Sequence, residues 1–123
     1  MADAESAEMY LETIYILSKQ LDNVRKIDVS KYLNYAKPSI TRGISLLEKR
    51  GLVEVDDSGS IIMTVEGKKL AKRIYDRHTT LTQIFMCLGV DEQTATDDAC
   101  RIEHYISDKT FNAIKKHLKS LKQ

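Results

Sequence analysis

Hydrophobic residues recur at intervals of three and four over most of this chain, which predicts a protein built mainly of α-helices. In the N-terminal half the pattern predicts helices over residues 8–21, 27–33 and 38–50. Pro38 stands at a position that is favoured at a helix start, and Gly51 is a typical helix stop signal. On the third helix we expect Ile40, Ile44 and Leu47 to face inward.

After Gly51 the hydrophobic period changes from three or four to two. Residues 52–55 and 60–63 alternate in this way around the polar turn Asp56-Asp57-Ser58-Gly59, which predicts a β-hairpin. A helix-turn-helix followed by a hairpin is the order of a winged helix-turn-helix unit, in which the third helix enters the DNA major groove. The hydrophilic residues of that helix are expected to face outward: Ser39, Thr41, Arg42 and Ser45.

Three more helices are predicted in the C-terminal half, over residues 64–88, 91–106 and 107–121. Thr64 and Ser107 can cap helix starts, and Gly89 can end the long fourth helix. His78 lies on the apolar stripe of that fourth helix and is expected to point inward. The apolar members of the stripe are Leu70, Ile74, Leu81, Phe85 and Leu88. One side of the fifth helix carries Ala95, Ala99, Ile102 and Ile106.

The overall fold class is therefore mainly α, with a winged helix-turn-helix over residues 1–66 and a helical domain over residues 67–123. The chain has 123 residues, enough for one domain or two small subdomains. It carries 42% hydrophobic and 30% charged residues, which is ordinary for a soluble globular protein. The acidic residues 1–8 lack the pattern of an export signal, so we expect a cytoplasmic protein without a membrane partner.

Charge is unevenly spread although the net charge is only +1. Residues 24–50 hold seven basic against two acidic side chains, which suits DNA phosphates, whereas residues 89–106 hold five acidic against one basic, which suits a cation. Cys87 and Cys100 are expected to be free thiols, because a structural disulfide is rare without export.

Three side chains able to bind metal stand at i, i+3 and i+4 near the C terminus: Cys100, Glu103 and His104. A helix would place them on one face. Met9 with Glu12, also at helical spacing, and the inward-facing His78 are further candidates. Each has an ordinary alternative, since methionine often fills gaps in a core, free cysteine is often buried, and a core histidine can bond to a backbone carbonyl.

Four segments together resemble the diphtheria-toxin-repressor and manganese-transport-regulator family over nearly the whole chain. They are residues 8–15, 38–41, 63–67 and 98–104. The resemblance implies a homodimeric, metal-dependent transcriptional repressor, in which residues 67–123 bind metal and dimerise. It also implies six metal ligands: Met9, Glu12, His78, Cys100, Glu103 and His104.

The metal is then expected to be a divalent transition ion that acts as corepressor for metal-homeostasis genes. Met9 and Cys100 resemble iron-responsive members of the family, whereas Glu12 and the short chain resemble the manganese type. Thr82 and Thr96 stand where the iron type has ligands of a second site. Thioether and thiolate suit Fe²⁺, Co²⁺, Ni²⁺ or Zn²⁺ better than Mn²⁺, whereas carboxylates and imidazoles accept any of these ions. We expect Fe²⁺ first and Mn²⁺ next, with Zn²⁺, Co²⁺ or Ni²⁺ able to bind in vitro.

The mechanism implied by the resemblance is a metal bridge from the first helix to the fourth and fifth helices. Such a bridge would hold the two DNA-binding heads of a dimer about 34 Å apart, the spacing of successive major grooves on a palindromic operator. The resemblance also implies base contacts at Pro38, Ser39 and Arg42. Phosphate contacts are predicted at Arg25, Lys37 and Thr41.

Two alternatives remain open from the sequence. Cys100 beside His104 would also suit a thiol-based, redox-responsive DNA-binding regulator. A metalloenzyme is disfavoured, because the six candidates would all serve as ligands and leave no general base for a small-molecule substrate.

Overall fold

The computed structural model describes the backbone of residues 2–122 and the side chains of residues 7–122. Over these residues the helices and strands follow one another as α1 (Ala2–Ser18), α2 (Lys26–Leu33), α3 (Lys37–Lys49), β1 (Val53–Val55), β2 (Ile61–Met63), α4 (Val65–Cys87), α5 (Glu92–Ile102) and α6 (Asp108–Leu121). The predicted order of helices and hairpin is confirmed. Within residues 2–122, no helix combines the length and apolar character needed to span a bilayer.

The chain divides into two compact units, Met1–Lys72 and Arg73–Gln123. The first unit has a continuous hydrophobic core to which α1, α2, α3 and both strands contribute. The most deeply buried members of this core are Ala7, Leu11, Ile14, Val29, Ile40, Ile44, Leu47, Val53 and Ala71. The apolar face predicted for the third helix is therefore the face that α3 buries.

The wing of the first unit is a two-stranded antiparallel hairpin, with Val53 paired to Met63 and Val55 to Ile61. Its turn is held by Asp56, whose Oδ1 accepts hydrogen bonds from the backbone N–H groups of Ser58 and Ser60. Hydrogen bonds from Ser58 hold the pKa of Asp56 below its usual range. The turn is therefore closed by a carboxylate that stays ionised.

In the second unit the buried hydrophobic residues come from α4, α5 and α6, and they include Ile74, Leu81, Ala95, Ala99, Phe111 and Leu118. The predicted caps are present. Thr64 Oγ1 accepts a hydrogen bond from the Gly67 N–H at 3.1 Å, and Ser107 Oγ accepts one from the Thr110 N–H at 3.1 Å. These side chains satisfy amide donors that a helix start leaves without intrahelical partners.

Three predicted helix limits were wrong. The first helix begins at Ala2 and not at residue 8. The first helix ends at Ser18 and not at residue 21, because Lys19 and Gln20 bond back three residues, to Ile16 and Leu17. The fifth helix ends at Ile102 and not at residue 106. Its continuation is a turn in which Tyr105 bonds back only three residues, to the Ile102 carbonyl. Hydrophobic periodicity predicts that a helix exists better than it predicts its last turn.

Some predicted inward positions are exposed as a result. Leu88 is 75% exposed, since α4 ends at Cys87 and the chain turns at Gly89 with a φ of +98°. Ile102 is 38% exposed at the end of α5. Cys87 and Cys100 are free cysteines, as predicted.

Candidate metal centre

Four of the predicted ligands lie in the second unit, on two neighbouring parts of the chain. His78 is in the middle of α4, and Cys100 is in the last turn of α5. Glu103 is the C-cap residue of α5, and His104 follows it in the turn. In this unit the candidate site is therefore built from one helix and one helix end. The sequence placed Cys100, Glu103 and His104 together within the fifth helix, but Glu103 and His104 lie beyond its last residue, Ile102.

The side chains of His78, Cys100 and Glu103 converge. One potential ligand atom from each lies within 4.8 Å of the other two. The Nδ1 atom of His78 is 3.0 Å from Glu103 Oε2. On the other side of the same carboxylate, His104 Nε2 is 3.3 Å from Glu103 Oε1. The Glu103 carboxylate thus lies between two imidazole rings, with a thiol close by.

Glu103 is 1% exposed, and its side chain is among the most deeply buried in the described part of the chain. Burying a carboxylate is costly unless positive charge or hydrogen bonds compensate for lost water. A divalent cation held by imidazole, thiolate and carboxylate would supply that charge. Nitrogen, sulfur and oxygen donors at this spacing are those that first-row transition metals accept. The residues present therefore fit a metal of this class.

Arg77, immediately before His78, was not among the residues predicted from the sequence. Its guanidinium is buried and donates from Nη1 to the backbone carbonyls of Glu103, at 3.1 Å, and Ile106, at 2.6 Å. Nη2 is paired with Asp108. The signal that could have found it is its spacing, three after Ile74 and four before Leu81, which places an arginine on the buried face of α4.

The other two predicted ligands lie on α1 in the first unit. Met9 is half-buried, and its Sδ accepts a hydrogen bond from the Tyr35 hydroxyl at 3.8 Å. Glu12 is buried, at 6% exposure, one turn further along. A thioether and a buried carboxylate therefore share one side of α1, as their spacing predicted.

The predicted DNA-reading residues lie on α3, except for Arg25. Lys37, Pro38, Thr41 and Arg42 are exposed on this helix, and Arg25 is exposed at the N-cap of α2. Ser39 is half-buried, and its Oγ accepts a hydrogen bond from Arg42 Nη2 at 3.5 Å. α3 thus buries one face in the core and leaves a basic, hydroxyl-bearing face exposed.

Comparison with known proteins identifies the class. Residues 4–61 match the family model described as "Iron dependent repressor, N-terminal DNA binding domain". Residues 64–123 match "Iron dependent repressor, metal binding and dimerisation domain". The fold and the site define a metal-dependent, DNA-binding transcriptional regulator. The chain belongs to the iron-dependent repressor family.

Individual relatives agree with this assignment. An uncharacterised HTH-type transcriptional regulator of Methanocaldococcus jannaschii is 33% identical over 122 residues, or 97% of each chain. The HTH-type transcriptional regulator MntR of Bacillus pumilus is 33% identical over 109 residues, covering 89% of this chain and 76% of that protein. The solved structure of the manganese regulator SloR has the same fold, with a TM-score of 0.83 at 24% identity over 92% of this chain. This chain spans 53% of the SloR chain.

These matches also bear on the alternatives that the sequence left open. The family models and named relatives are transcriptional regulators and not enzymes, as predicted. They give no support to a redox regulator based on Cys100. The expectation of a metal-dependent repressor with a DNA-binding and a dimerisation part is confirmed.

Proposed function

We propose that this protein represses transcription when a divalent metal ion binds to His78, Cys100 and Glu103. His104 is the fourth proposed ligand from the second unit. The observation that carries the proposal is the Glu103 carboxylate, which is 1% exposed, lies between two imidazoles and has a thiol within 4.8 Å. When bound, the ion supplies positive charge that compensates the buried carboxylate. Met9 and Glu12 stay predicted ligands, to be tested by substitution.

We propose that residues 1–66 bind DNA and that residues 67–123 bind metal and form the dimer. The exposed face of α3 would read base edges through Pro38, Ser39 and Arg42. Arg25, Lys37 and Thr41 would contact phosphates. A homodimer would present two such helices to the halves of a palindromic operator in the cytoplasm. By reciprocity, DNA should tighten metal binding by the same factor by which metal tightens DNA binding.

Among metals, we propose Fe²⁺ as the physiological ion, with Mn²⁺ next. The thiol of Cys100 within the cluster supports an ion softer than Mn²⁺, whereas carboxylate oxygens accept either ion. The solved relative SloR is itself a manganese regulator, so manganese is the necessary comparison. Metal-free protein titrated with Fe²⁺ under anoxia and with Mn²⁺ should bind a selected operator duplex at a lower free concentration of Fe²⁺ than of Mn²⁺. Zn²⁺ and Co²⁺, which bind such donors more tightly in general, serve as references for the affinity of the site. Tighter activation by Mn²⁺ would reverse the assignment.

The DNA-reading face is tested by two substitutions on α3 that should differ in kind. Arg42→Ala should relax sequence preference by about 1–3 kcal/mol at one base pair, because a side chain that contacts a base edge discriminates between bases. Lys37→Ala should instead weaken binding to all sequences and reduce the salt slope by about 1, because a phosphate contact releases counterions. Both are measured by selection from a random duplex library and by salt titration. Unchanged sequence preference in Arg42→Ala would remove it from the base contacts.

A further inference from the structure

Arg77 contacts three residues of the segment that carries two of the proposed metal ligands, Glu103 and His104. Its guanidinium donates to the carbonyl oxygens of Glu103 and Ile106 and is paired with the Asp108 carboxylate. The Cζ atom also lies 5.3 Å from the centre of the Phe111 ring. The side chain is only 8% exposed, so these contacts replace its water.

Arg77 contacts residues 103–106 at a place where backbone carbonyl groups lack hydrogen-bond donors from a helix. α5 ends at Ile102, and carbonyl groups beyond the last turn of a helix have no intrahelical donors. Arg77 supplies donors to two of them. The planar guanidinium can donate several hydrogen bonds in a fixed fork, a geometry that a lysine ammonium cannot reproduce. The turn therefore takes its shape from a side chain on α4.

Asp108 orients the same guanidinium from the start of α6. It also accepts a hydrogen bond from Arg73 Nη2 at 2.8 Å. The hydrogen bond from Arg73 is the largest reason that the pKa of Asp108 lies below its usual value, and Arg77 adds to the effect. The carboxylate is thus ionised at neutral pH and is available to hold Arg77 in place.

We propose that Arg77 is a positioning residue for the metal centre, holding Glu103 and His104 at the distance from His78 that a cation requires. The inference rests on the proposed metal function. His78 and Arg77 are consecutive on α4, so one helix carries both a proposed ligand and the side chain that fixes the backbone of the opposing ligands. Arg77 does not touch the metal; it acts through the carbonyl of Glu103.

The experiment compares Arg77→Met and Arg77→Lys with the parent protein, using direct Co²⁺ and Mn²⁺ titration of the metal-free full chain. Loss of a group that orients metal ligands typically lowers metal affinity by about 10–100-fold, which is the loss expected for Arg77→Met. Arg77→Lys should fall between the two, because one ammonium cannot hold both carbonyls. In metal-free protein, hydrogen exchange at the Tyr105 and Ile106 amides should be faster in Arg77→Met.

The matched control is Asp76→Asn. Asp76 precedes Arg77 on α4 and forms an ion pair with Lys115 of α6 at 2.6 Å. This substitution removes the charge of one partner in a second contact between α4 and α6 and leaves the 103–106 turn unchanged. We expect any loss of thermal stability in Asp76→Asn to leave metal affinity within about twofold of the parent, since the ligand-bearing turn is unchanged. A purely structural role for Arg77 would make the two substitutions behave alike.

Glu103→Gln is titrated alongside to separate the two proposals. Weak metal binding by Glu103→Gln together with parent-like binding by Arg77→Met and Arg77→Lys would overturn the role of Arg77 and leave the metal site standing. Parent-like binding by Glu103→Gln would overturn the metal site itself. Should Arg77→Met fail to fold, parent-like metal affinity and amide exchange in Arg77→Lys would be sufficient to reject the role of Arg77.

Discussion

Replacing Glu103 with glutamine is expected to abolish the metal response of DNA binding while leaving the metal-free protein folded. Glutamine keeps the shape of the side chain but removes the negative charge that a cation would meet between His78 and His104. A ligand should matter at least as much as the groups that orient it, so we expect metal affinity to fall at least about 100-fold. The stimulation of DNA binding by metal, typically about 5–150-fold for such coupling, should disappear.

The same substitution should not destabilise the metal-free fold by more than about 1 kcal/mol, because a neutral amide is less costly to bury than a carboxylate. Denaturant unfolding with and without Mn²⁺ measures the stability of the metal-bound and metal-free protein. The fluorescence anisotropy of a labelled operator duplex measures the DNA response. Asp98→Asn, an exposed carboxylate on α5, is the matched control and should keep the full response. Metal-stimulated DNA binding by Glu103→Gln would exclude Glu103 from the ligands.

Gly43→Ala is expected to destabilise the DNA-binding unit by about 1–2 kcal/mol, because overpacking a core costs about 1–3 kcal/mol and the better helix propensity of alanine offsets only about 1 kcal/mol. A Cβ atom on Gly43 would lie 2.4 Å from Cε2 of the Tyr10 ring, far inside contact distance. Tyr10 is buried and donates a hydrogen bond to the Ser39 carbonyl at 3.4 Å. Moving the ring away would open the packing between α1 and α3.

This cost should depend on Tyr10. In a Tyr10→Ala background the ring is absent, and the further change Gly43→Ala should be neutral or stabilising, giving an interaction energy of about 1–3 kcal/mol in the double-mutant cycle. Ser45→Ala, on the same helix and only half-buried, should change stability by less than about 0.5 kcal/mol. The free energies come from urea unfolding. Equal effects of Gly43→Ala in both backgrounds would show that the close approach of Tyr10 is not the cause.

The helices and the wing could be predicted because each is encoded by local periodicity and by caps within a few residues. Ile40, Ile44 and Leu47 are buried together on α3, as a period of 3.6 requires. Thr64 and Ser107 cap helices where the sequence places them. Gly43 is different. The sequence shows only an unfavourable residue in a helix, and its reason, the Tyr10 ring, comes from a residue 33 positions earlier.

The sequence predicted the residue types of the candidate site but not the structural elements that position them. Spacing placed Cys100, Glu103 and His104 on one helical face, whereas α5 ends before Glu103. The turn that follows is held by a hydrogen bond from Arg77 to the Glu103 carbonyl. These residues are 26 positions apart, so no local pattern predicts the contact. Spacing also could not show that the two oxygens of Glu103 face different histidines. Tertiary hydrogen bonds override local propensity at this point, as is common at functional sites.

Cobalt(II) titration, followed by absorption and by operator binding in the same samples, tests the central claim most directly. A Co²⁺ ion bound by Cys100 would produce a thiolate charge-transfer band in the near ultraviolet. We predict that this band grows in parallel with DNA binding, and that Cys100→Ser loses the band and weakens the DNA response. Full DNA binding in the presence of a chelator, or saturation of DNA binding by Co²⁺ without a thiolate band, would contradict the account.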